Sequence, residues 1–207
     1  MKSSIRMFMF VVLMGTLGTA AYAEDAKAPA AADEKAAADK VMQEKMMKLM
    51  SPGEQHKALE LLVGKWNYTA KFWMTPEAKA DESTGTGENA MIYGGRFLKQ
   101  DIKGMWMEQP FEGVGYIGYD NIKGEYESIW VDGMATGIMK ASGQYDASSK
   151  TFNFSGSNSC PLTGEKDRKG RSEVKIADND HNVYSAYGSG PDGKEFKMME
   201  IEYTRAA

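Results

Sequence analysis

The side chains that could carry out chemistry in this chain are few and scattered. Its histidines are His56 and His181 and its one cysteine is Cys160, among 207 residues. A Ser-His-Asp site needs a histidine between a nucleophile and a carboxylate, and the sequence contains no Gly-x-Ser-x-Gly segment. A zinc site usually takes three or four closely spaced His, Cys or carboxylate ligands, and no such spacing occurs. We therefore favour a non-enzymatic protein with no catalytic residues, no metal and no cofactor.

Two short segments imitate ligand-binding motifs. Residues 113–118 match G-x-G-x-x-G, which binds a pyrophosphate only between a parallel strand and a helix. A turn and another predicted strand follow here, so we interpret these glycines as places where a bent strand avoids crowding. Asp178, Asp180 and Asn182 resemble the first ligands of an EF-hand, but Val183 stands where that loop needs glycine. We predict a polar β-turn there.

A set of aromatic and polar side chains remains as the candidate ligand site. Small-molecule pockets combine apolar and aromatic walls with a few fixed polar groups. The predicted ligand-binding residues are His56, Arg96, Trp106, Tyr116, Trp130 and Asp132. If Arg96 points inward, it needs an anionic ligand or a carboxylate partner, for which Glu88, Asp101 and Asp132 are candidates. Equally open is the alternative that these aromatic side chains simply fill a core.

The elements that must position these residues are mostly strands. From Lys65 onward the pattern has a period of two, with Trp66, Tyr68, Ala70 and Phe72 alternating with polar residues. Further candidate strands lie near 86–93, 96–107, 114–119, 125–132, 137–145, 150–156, 170–177, 182–188 and 194–205. About ten strands separated by turn residues predict an all-β fold, a single up-and-down antiparallel barrel over residues 51–207.

Helical patterns precede the strands. Residues 24–50 form an extension rich in Ala and Met, for which we predict a helix over 39–50. Ser51 and Pro52 suit the N-cap and first position of a second, short helix that ends at Gly64 and closes one end of the barrel. On it, His56 either points into the barrel mouth to bind a ligand carboxylate or haem iron, or bonds a neighbouring carbonyl while packing beside Leu59.

The first 23 residues have the features of a signal peptide. Lys2 and Arg6 supply the positive charge, an apolar run follows, and Ala21-Tyr22-Ala23 is a small-x-small cleavage site. We expect cleavage near Ala23 and a periplasmic or secreted protein. The apolar run is too short to span a bilayer, so we expect no transmembrane segment.

The net charge argues against polyanionic partners. The formal charge is −4, and removal of Lys2 and Arg6 leaves a mature protein of −6. Such an acidic domain lacks the positive surface that nucleic acids and anionic membranes attract.

Cys160 has Lys166 and Arg168 nearby in sequence but no histidine, so we interpret it as an inert thiol.

The two ends of the strand region resemble the signature of calycin-type β-barrels, the lipocalin superfamily. Gly64 and Trp66 open the first strand and Arg205 closes the last. The first and last strands are neighbours in a closed barrel, so the Arg205 guanidinium is expected to lie on the Trp66 indole and hold the barrel shut. The same residues are similar to those of fatty-acid-binding proteins and nitrobindin-like haem barrels. The histidine pattern of a nitrobindin-like haem site is not present.

Much of the chain also resembles a bacterial family catalogued as domain of unknown function 1579. The matching stretches, in order, are Glu54–Trp66, Tyr93–Leu98, Phe111–Asn121, Tyr126–Gly137 and Met199–Arg205. This resemblance implies no activity, because the family has none assigned.

Our first functional hypothesis is therefore a non-enzymatic barrel that binds a small apolar or amphipathic ligand. The second is a structural or interaction module with a filled barrel, whose methionine-rich helix near Met46 docks a protein partner. A haem-binding or enzymatic barrel, with Asp132 or His56 as a general base, is the remaining alternative.

Overall fold

A computed structural model of the protein describes residues 28–106, 108–159 and 164–207. The predicted signal peptide and Cys160 lie outside the described residues. Residues 45–207 form one compact unit, and the described residues before residue 45 belong to another. None of the helices in the described part of the chain is long and apolar enough to cross a bilayer.

The helices come first in the chain. Helix α1 (Ala28–Met50) begins earlier than predicted, because the Ala-rich stretch before residue 39 has high helix propensity. Helix α2 (Glu54–Ala58) continues into a 3₁₀ segment (Leu59–Leu62). Ser51 does not cap α2 as predicted. Its hydroxyl donates to the Met47 carbonyl at 2.7 Å, and so it ends α1 instead.

Ten antiparallel strands follow and close into a barrel, which confirms the predicted fold. They are β1 (Gly64–Phe72), β2 (Asp81–Ile92), β3 (Phe97–Trp106), β4 (Gln109–Asp120), β5 (Glu125–Asp132), β6 (Met139–Asp146), β7 (Thr151–Asn158), β8 (Arg168–Ile176), β9 (His181–Ser189) and β10 (Glu195–Arg205). Each strand pairs with the next in sequence, and β1 pairs with β10. The register sets Trp66 opposite Arg205 and Tyr68 opposite Tyr203.

One end of the barrel is filled by a hydrophobic core. Leu59 and Leu62, which are 0% and 2% exposed, enter it from the 3₁₀ segment. The strand residues of this core are Leu98, Ile117, Tyr126, Phe152, Phe154 and Ile176. We call this the closed end; the turn between β2 and β3 lies there. The opposite end, with the turns between β1 and β2 and between β5 and β6, is called the mouth. The predicted closing helix therefore occupies the closed end.

Candidate functional site

The inner wall of the barrel keeps exposed surface between the closed end and the mouth. Strand register identifies the inward positions, since every second residue faces the interior. Inward residues that are half-buried, not fully buried, are Gln100, Phe111, Ser128, Trp130, Ala141, Ser172, Tyr184, Ala186, Ile201 and Tyr203. The strands surround these side chains, so their free surface faces the space inside. Among them, Tyr68, Ala70 and Ile102 form a second buried cluster, against which Phe111, Trp130, Ile201 and Tyr203 pack. We call the interior that the half-buried side chains line the lumen.

Trp130 lies flat against one side of this lumen. Its Nε1 donates to Asp132 Oδ2 at 2.7 Å, and its ring stacks on Phe111 at 6.4 Å between centroids. Gly113 and Gly115 make the space: a Cβ on Gly113 would lie 2.2 Å from Trp130 Cζ2. The G-x-G-x-x-G segment thus provides a smooth wall for an aromatic ring.

Asp132 fixes this arrangement at the mouth. Besides the bond from Trp130, its Oδ1 accepts hydrogen bonds from the backbone N–H groups of Met134 and Ala135 at 2.9 Å and 3.1 Å. Both carboxylate oxygens are therefore engaged in holding the indole and the turn after β5. Asp132 is a positioning residue for Trp130.

Trp106 lies at the rim of the mouth, half-buried. Its ring meets that of Phe72 edge-on, with 4.0 Å between centroids. Next to this rim, a cleft of about 340 Å³ is lined by Trp73, Pro76, Phe196, Lys197 and Glu200. Trp106 and Trp130 thus occupy the mouth half of the barrel together.

Tyr116 lies on the outer surface, which corrects its predicted place on the ligand-binding wall. The register sets it beside Lys99 and Ile129, and the inward positions of β4 are the odd-numbered ones, such as Gly115 and Ile117. The glycine-rich sequence hid this parity because glycines mark both faces of the strand.

Arg96 is also outside the lumen, at the closed end, where it holds the end of helix α1. Its Nη2 donates to the Met50 carbonyl at 2.9 Å and its Nη1 to the Tyr93 carbonyl at 3.0 Å. Asn121 Nδ2 donates to the Leu49 and Ser51 carbonyls at 2.9 Å and 2.8 Å. The carbonyls at a helix C-terminus attract such donors. The prediction that Arg96 faces inward is wrong, because the turn before β3 interrupts the alternation of inward and outward residues.

His56 is buried at the closed end and does not face the mouth. Its Nδ1 accepts the Gly53 N–H at 3.0 Å, and its ring meets Tyr119 edge-on at 5.9 Å. Burial lowers the pKa of His56 and the charge of Arg96 acts in the same direction, while a backbone hydrogen bond with Tyr119 opposes them. This geometry matches the second of its two predicted roles, packing beside Leu59 with a backbone partner.

Three inward-facing tyrosines are not among the predicted ligand-binding residues. Tyr68 and Tyr203 are opposite each other, with 5.7 Å between ring centroids, and Tyr184 is on the next strand. Burial raises the pKa of all three phenols, and a hydrogen bond with Ser172 opposes the rise for Tyr184. Counting by twos from Trp66 and from Arg205 finds Tyr68 and Tyr203.

Gly64, Trp66 and Arg205 join the first and last strands at the closed end. The Arg205 guanidinium lies 4.3 Å from the Trp66 ring centroid, and its Nη1 donates to the Val63 carbonyl at 2.9 Å. Gly64 has a φ of 139°, and a Cβ there would lie 2.2 Å from Arg205 Nη1. Trp66 Nε1 donates to the Leu62 carbonyl at 3.0 Å. These residues fasten the barrel and its closing segment together.

Comparison with known proteins places the chain in a family. The family described as "Protein of unknown function (DUF1579)" matches residues 51–205, which include helix α2 and all ten strands. The chain belongs to the DUF1579 family. No curated protein matches it.

Three solved structures are similar to this DUF1579 member to different degrees. Rv2717c from M. tuberculosis is 17% identical, with a TM-score of 0.57 over 76% of this chain and 100% of that one. The S-type phycobiliprotein lyase CPES from Guillardia theta is 10% identical, with a TM-score of 0.48 over 75% and 99%. EF1p2_mFAP2b bound to DFHBI is 13% identical, with a TM-score of 0.37 over 74% and 100%. The likeness to Rv2717c shows a shared fold.

The described side chains supply no evident metal centre. Within residues 28–106, 108–159 and 164–207, no group of three or more His, Cys, Asp or Glu side chains is arranged to hold a metal ion. The arrangement that remains is a lumen with apolar and aromatic walls and a few neutral polar groups.

Proposed function

We propose that this protein binds a small apolar or amphipathic molecule in the barrel lumen, without transforming it. One observation carries the proposal: inward side chains midway along the strands keep free surface although protein surrounds them. Tyr184 on β9 and Trp130 on β5 are examples, because both occupy inward positions and both remain half-buried. Apolar walls with a few placed polar groups suit such a ligand.

The closed end and the mouth give the ligand one direction of entry. Leu59, Leu62 and the core around them occupy the closed end. At the other end, Trp106 and Trp130 offer flat aromatic surface to an entering molecule. Aromatic side chains provide large contact area at small entropic cost.

Binding of an uncharged fluorescent naphthylamine, N-phenyl-1-naphthylamine, tests the proposal. Its emission rises when it leaves water, so titration of the purified protein is expected to saturate with one probe per barrel. Native mass spectrometry of protein purified from its source would detect a retained natural ligand. Absence of both probe binding and a retained ligand would count against a binding function.

A matched pair of variants localises the probe. Ala141 and Ser142 are neighbours on β6 and face the inside and the outside of the barrel. Ala141→Trp is expected to fill part of the lumen and weaken probe binding, whereas Ser142→Trp adds the same side chain outside and leaves it unchanged. Equal effects would mean that the probe binds the surface.

A second candidate function is docking of a protein partner by the methionine-rich helix. Met46, Met47 and Met50 are 51%, 61% and 62% exposed at the end of α1. Methionine suits adaptable protein contacts. Glutamate at Met46 and Met47 would then abolish capture of the partner while leaving naphthylamine binding intact. Unchanged capture would remove this candidate.

We also propose that the protein is exported. The sequence of residues 1–23 supports this, through its charged start, apolar run and Ala21-Tyr22-Ala23 site. Fractionation of the source cells is expected to recover a periplasmic or secreted form that starts near Glu24. A cytoplasmic form that retains Met1 would contradict export.

A further inference from the structure

Three phenol groups lie together in the lumen. Tyr68 on β1 is opposite Tyr203 on β10, and Tyr203 is opposite Asn182 on β9. Tyr184 is the next inward residue of β9 after Asn182, on the side toward the mouth. Burial raises the pKa of the Tyr203 phenol, and the nearby Tyr184 and Tyr68 phenols raise it further. The three rings come from neighbouring strands of the wall, and the ring centroids of Tyr68 and Tyr203 lie 5.7 Å apart. The Tyr184 hydroxyl bonds Ser172 on β8, so the three phenols place polar groups at successive points along this region of the wall.

Glycines shape the wall that faces this region. The Tyr68 hydroxyl lies 2.4 Å from where a Cβ on Gly85 would be, and 2.1 Å from the corresponding position on Gly104. The Tyr68 ring therefore reaches across β2 and β3 through space that any larger residue would fill. Its hydroxyl is held in place by packing.

Charge is missing from the same part of the lumen. At the inward positions of the described strands, charged side chains occur only toward the two ends, with Asp81, Asp132 and Arg168 at the mouth and Arg205 at the closed end. Asp132 is engaged with Trp130, and Arg205 with Trp66 and the Val63 carbonyl. The inward positions between them carry apolar side chains, glycines and neutral polar groups such as Gln100, Ser128 and Ser172.

An ionised ligand head would be poorly accommodated in that environment. Moving a carboxylate out of water without a cationic partner is strongly unfavourable. A hydroxyl, carbonyl or amide group has a far smaller desolvation penalty, and one or two hydrogen bonds to the protein offset it. Neutral phenols serve such a group well, since each hydroxyl both donates and accepts.

The geometry points to a lumen selective for uncharged amphipathic molecules, whose hydroxyl, carbonyl or amide group is received by Tyr68, Tyr184 and Tyr203. This inference rests on the proposed binding function and narrows it to one ligand class. It differs from the sequence-based expectation, in which Arg96 would have favoured an anionic head group. Arg96 lies outside the barrel, and Arg168, the inward cation at the mouth, already donates to the Ser189 carbonyl and lies 4.0 Å from the Glu165 carboxylate.

Competition between two ligands of equal chain length tests the selectivity. The reporter is N-phenyl-1-naphthylamine bound to the purified protein, and the competitors are 1-decanol and decanoate near pH 8, where a carboxylate is ionised. Decanol is expected to displace the reporter at a concentration roughly tenfold lower than decanoate, since the carboxylate must be desolvated. Equal displacement, or stronger displacement by decanoate, overturns this inference and leaves the binding function standing.

Failure of the binding function has a different signature. If the reporter does not bind, and neither decanol nor decanoate is retained in native mass spectrometry, then both the proposed function and this inference are wrong. Retention of decanol alone, even without reporter binding, supports the selectivity.

Tyrosine variants test the phenols directly. Tyr203→Phe removes one hydroxyl and is expected to weaken decanol binding about fivefold, the effect of one hydrogen bond, once the competition is corrected for the variant's own reporter affinity. Tyr187→Phe is the control, because the Tyr187 hydroxyl donates to Glu173 on the outer face at 2.8 Å. If Phe at positions 68, 184 and 203 leaves decanol affinity unchanged in variants that keep the circular dichroism of the parent, the phenols do not receive the ligand.

Discussion

The buried His56 imidazole shares the closed end of the barrel with Tyr119 and Arg96. Its Nδ1 accepts a backbone N–H, a role that requires an unprotonated nitrogen, and burial holds its pKa below the ordinary value of 6.5. Protonation would place a second positive charge near Arg96 and break the bond from Gly53. His56 is therefore a pH-sensitive part of the closing segment.

The stability of the protein is expected to fall in mild acid through His56. The unfolded chain binds a proton near pH 6.5 and the folded chain only at lower pH, so the unfolded state holds more protons between the two values. The contribution of His56 is thus complete above pH 6.5 and is lost as the pH falls toward the folded-state pKa, with about 1.4 kcal/mol for each pKa unit. Urea midpoints measured from neutral to mildly acidic pH should decline less steeply for His56→Gln. Parallel pH profiles would show that His56 does not titrate with unfolding.

Gly113 is expected to tolerate no side chain. Alanine there would place its Cβ 2.2 Å from Trp130 Cζ2, and the indole would have to leave Asp132 and Phe111 to make room. Overpacking of this kind costs about 1–3 kcal/mol, measured by urea unfolding of Gly113→Ala. Gly137→Ala is the control, since nothing lies within 4 Å of its Cβ position. Loss of stability in both variants would point to a backbone effect instead of a clash.

At this scale, the sequence predicted residue types better than their orientations. Alternation alone places an aromatic residue on the inward face about half the time. The prediction that Trp130 lines the interior is therefore right, and the same prediction for Tyr116 is wrong. Arg96 was misplaced because a turn with positive φ at Tyr93, Gly94 and Gly95 separates it from the strand pattern on either side. Only the pairing register, a long-range property, settles which parity is inward.

The closing segment is the element on which the closed end depends. Helix α2 and the 3₁₀ segment have nine residues between them, too few to be stable alone, so they depend on contacts with the strands. Tyr126 supplies one: its hydroxyl donates to the Gln55 carbonyl at 2.8 Å, and burial raises the pKa of this phenol to about 12. Trp66 and Asn89 supply others, both donating to the Leu62 carbonyl.

Two adjacent leucines separate burial from helix propensity in this segment. Leu62→Ala should cost about 2–5 kcal/mol of unfolding free energy, because Leu62 is 2% exposed and its removal leaves a cavity in the core. Leu61→Ala should cost less than about 0.5 kcal/mol, since Leu61 is 39% exposed. Guanidinium unfolding measures both. Equal losses would mean that the segment contributes through its backbone and not through its buried face.

The elements themselves were largely predictable from sequence. Turn residues such as Asp120-Asn121 and alternating apolar positions gave the number of strands and most of their bounds. Strand β2 begins at Asp81, earlier than the predicted 86, because Ser83, Thr84 and Gly85 alternate without an apolar side chain to mark the inward face. There the inward position is a glycine that accommodates Tyr68, and this requirement comes from another strand.

At the scale of the whole molecule, closure brings together residues 142 positions apart in the chain. Arg205 connects three segments: it lies on Trp66, donates to the Val63 carbonyl, and donates from Nε to the Asn179 carbonyl at 2.9 Å. The planar guanidinium suits this because it donates in several directions while stacking on a ring. No local pattern in the sequence determines such a contact.

Arg205→Lys is expected to destabilise the barrel by about 1–3 kcal/mol, because lysine keeps the charge but cannot make these bonds together. Arg171→Lys is a matched control, since Arg171 also lies over a ring, that of Tyr187, and pairs with Glu195 on the exposed outer face. Its cost should stay below about 1 kcal/mol. Thermal unfolding of the two variants compares them. A larger loss for Arg171→Lys would mean that closure does not depend on Arg205.

The pairing of β1 with β10 also determines how the molecule can be handled. The chain enters the barrel at Gly64 and leaves it at Arg205, both at the closed end, and the Ala206 N–H donates to the Lys65 carbonyl at 2.8 Å. An affinity tag or surface linker attached after Ala207 would therefore lie on the far side from the mouth, so an immobilised protein would keep its mouth toward solution. A short peptide joining the two ends, with a new opening in a mouth loop, would give a circular permutant whose lumen walls are unchanged.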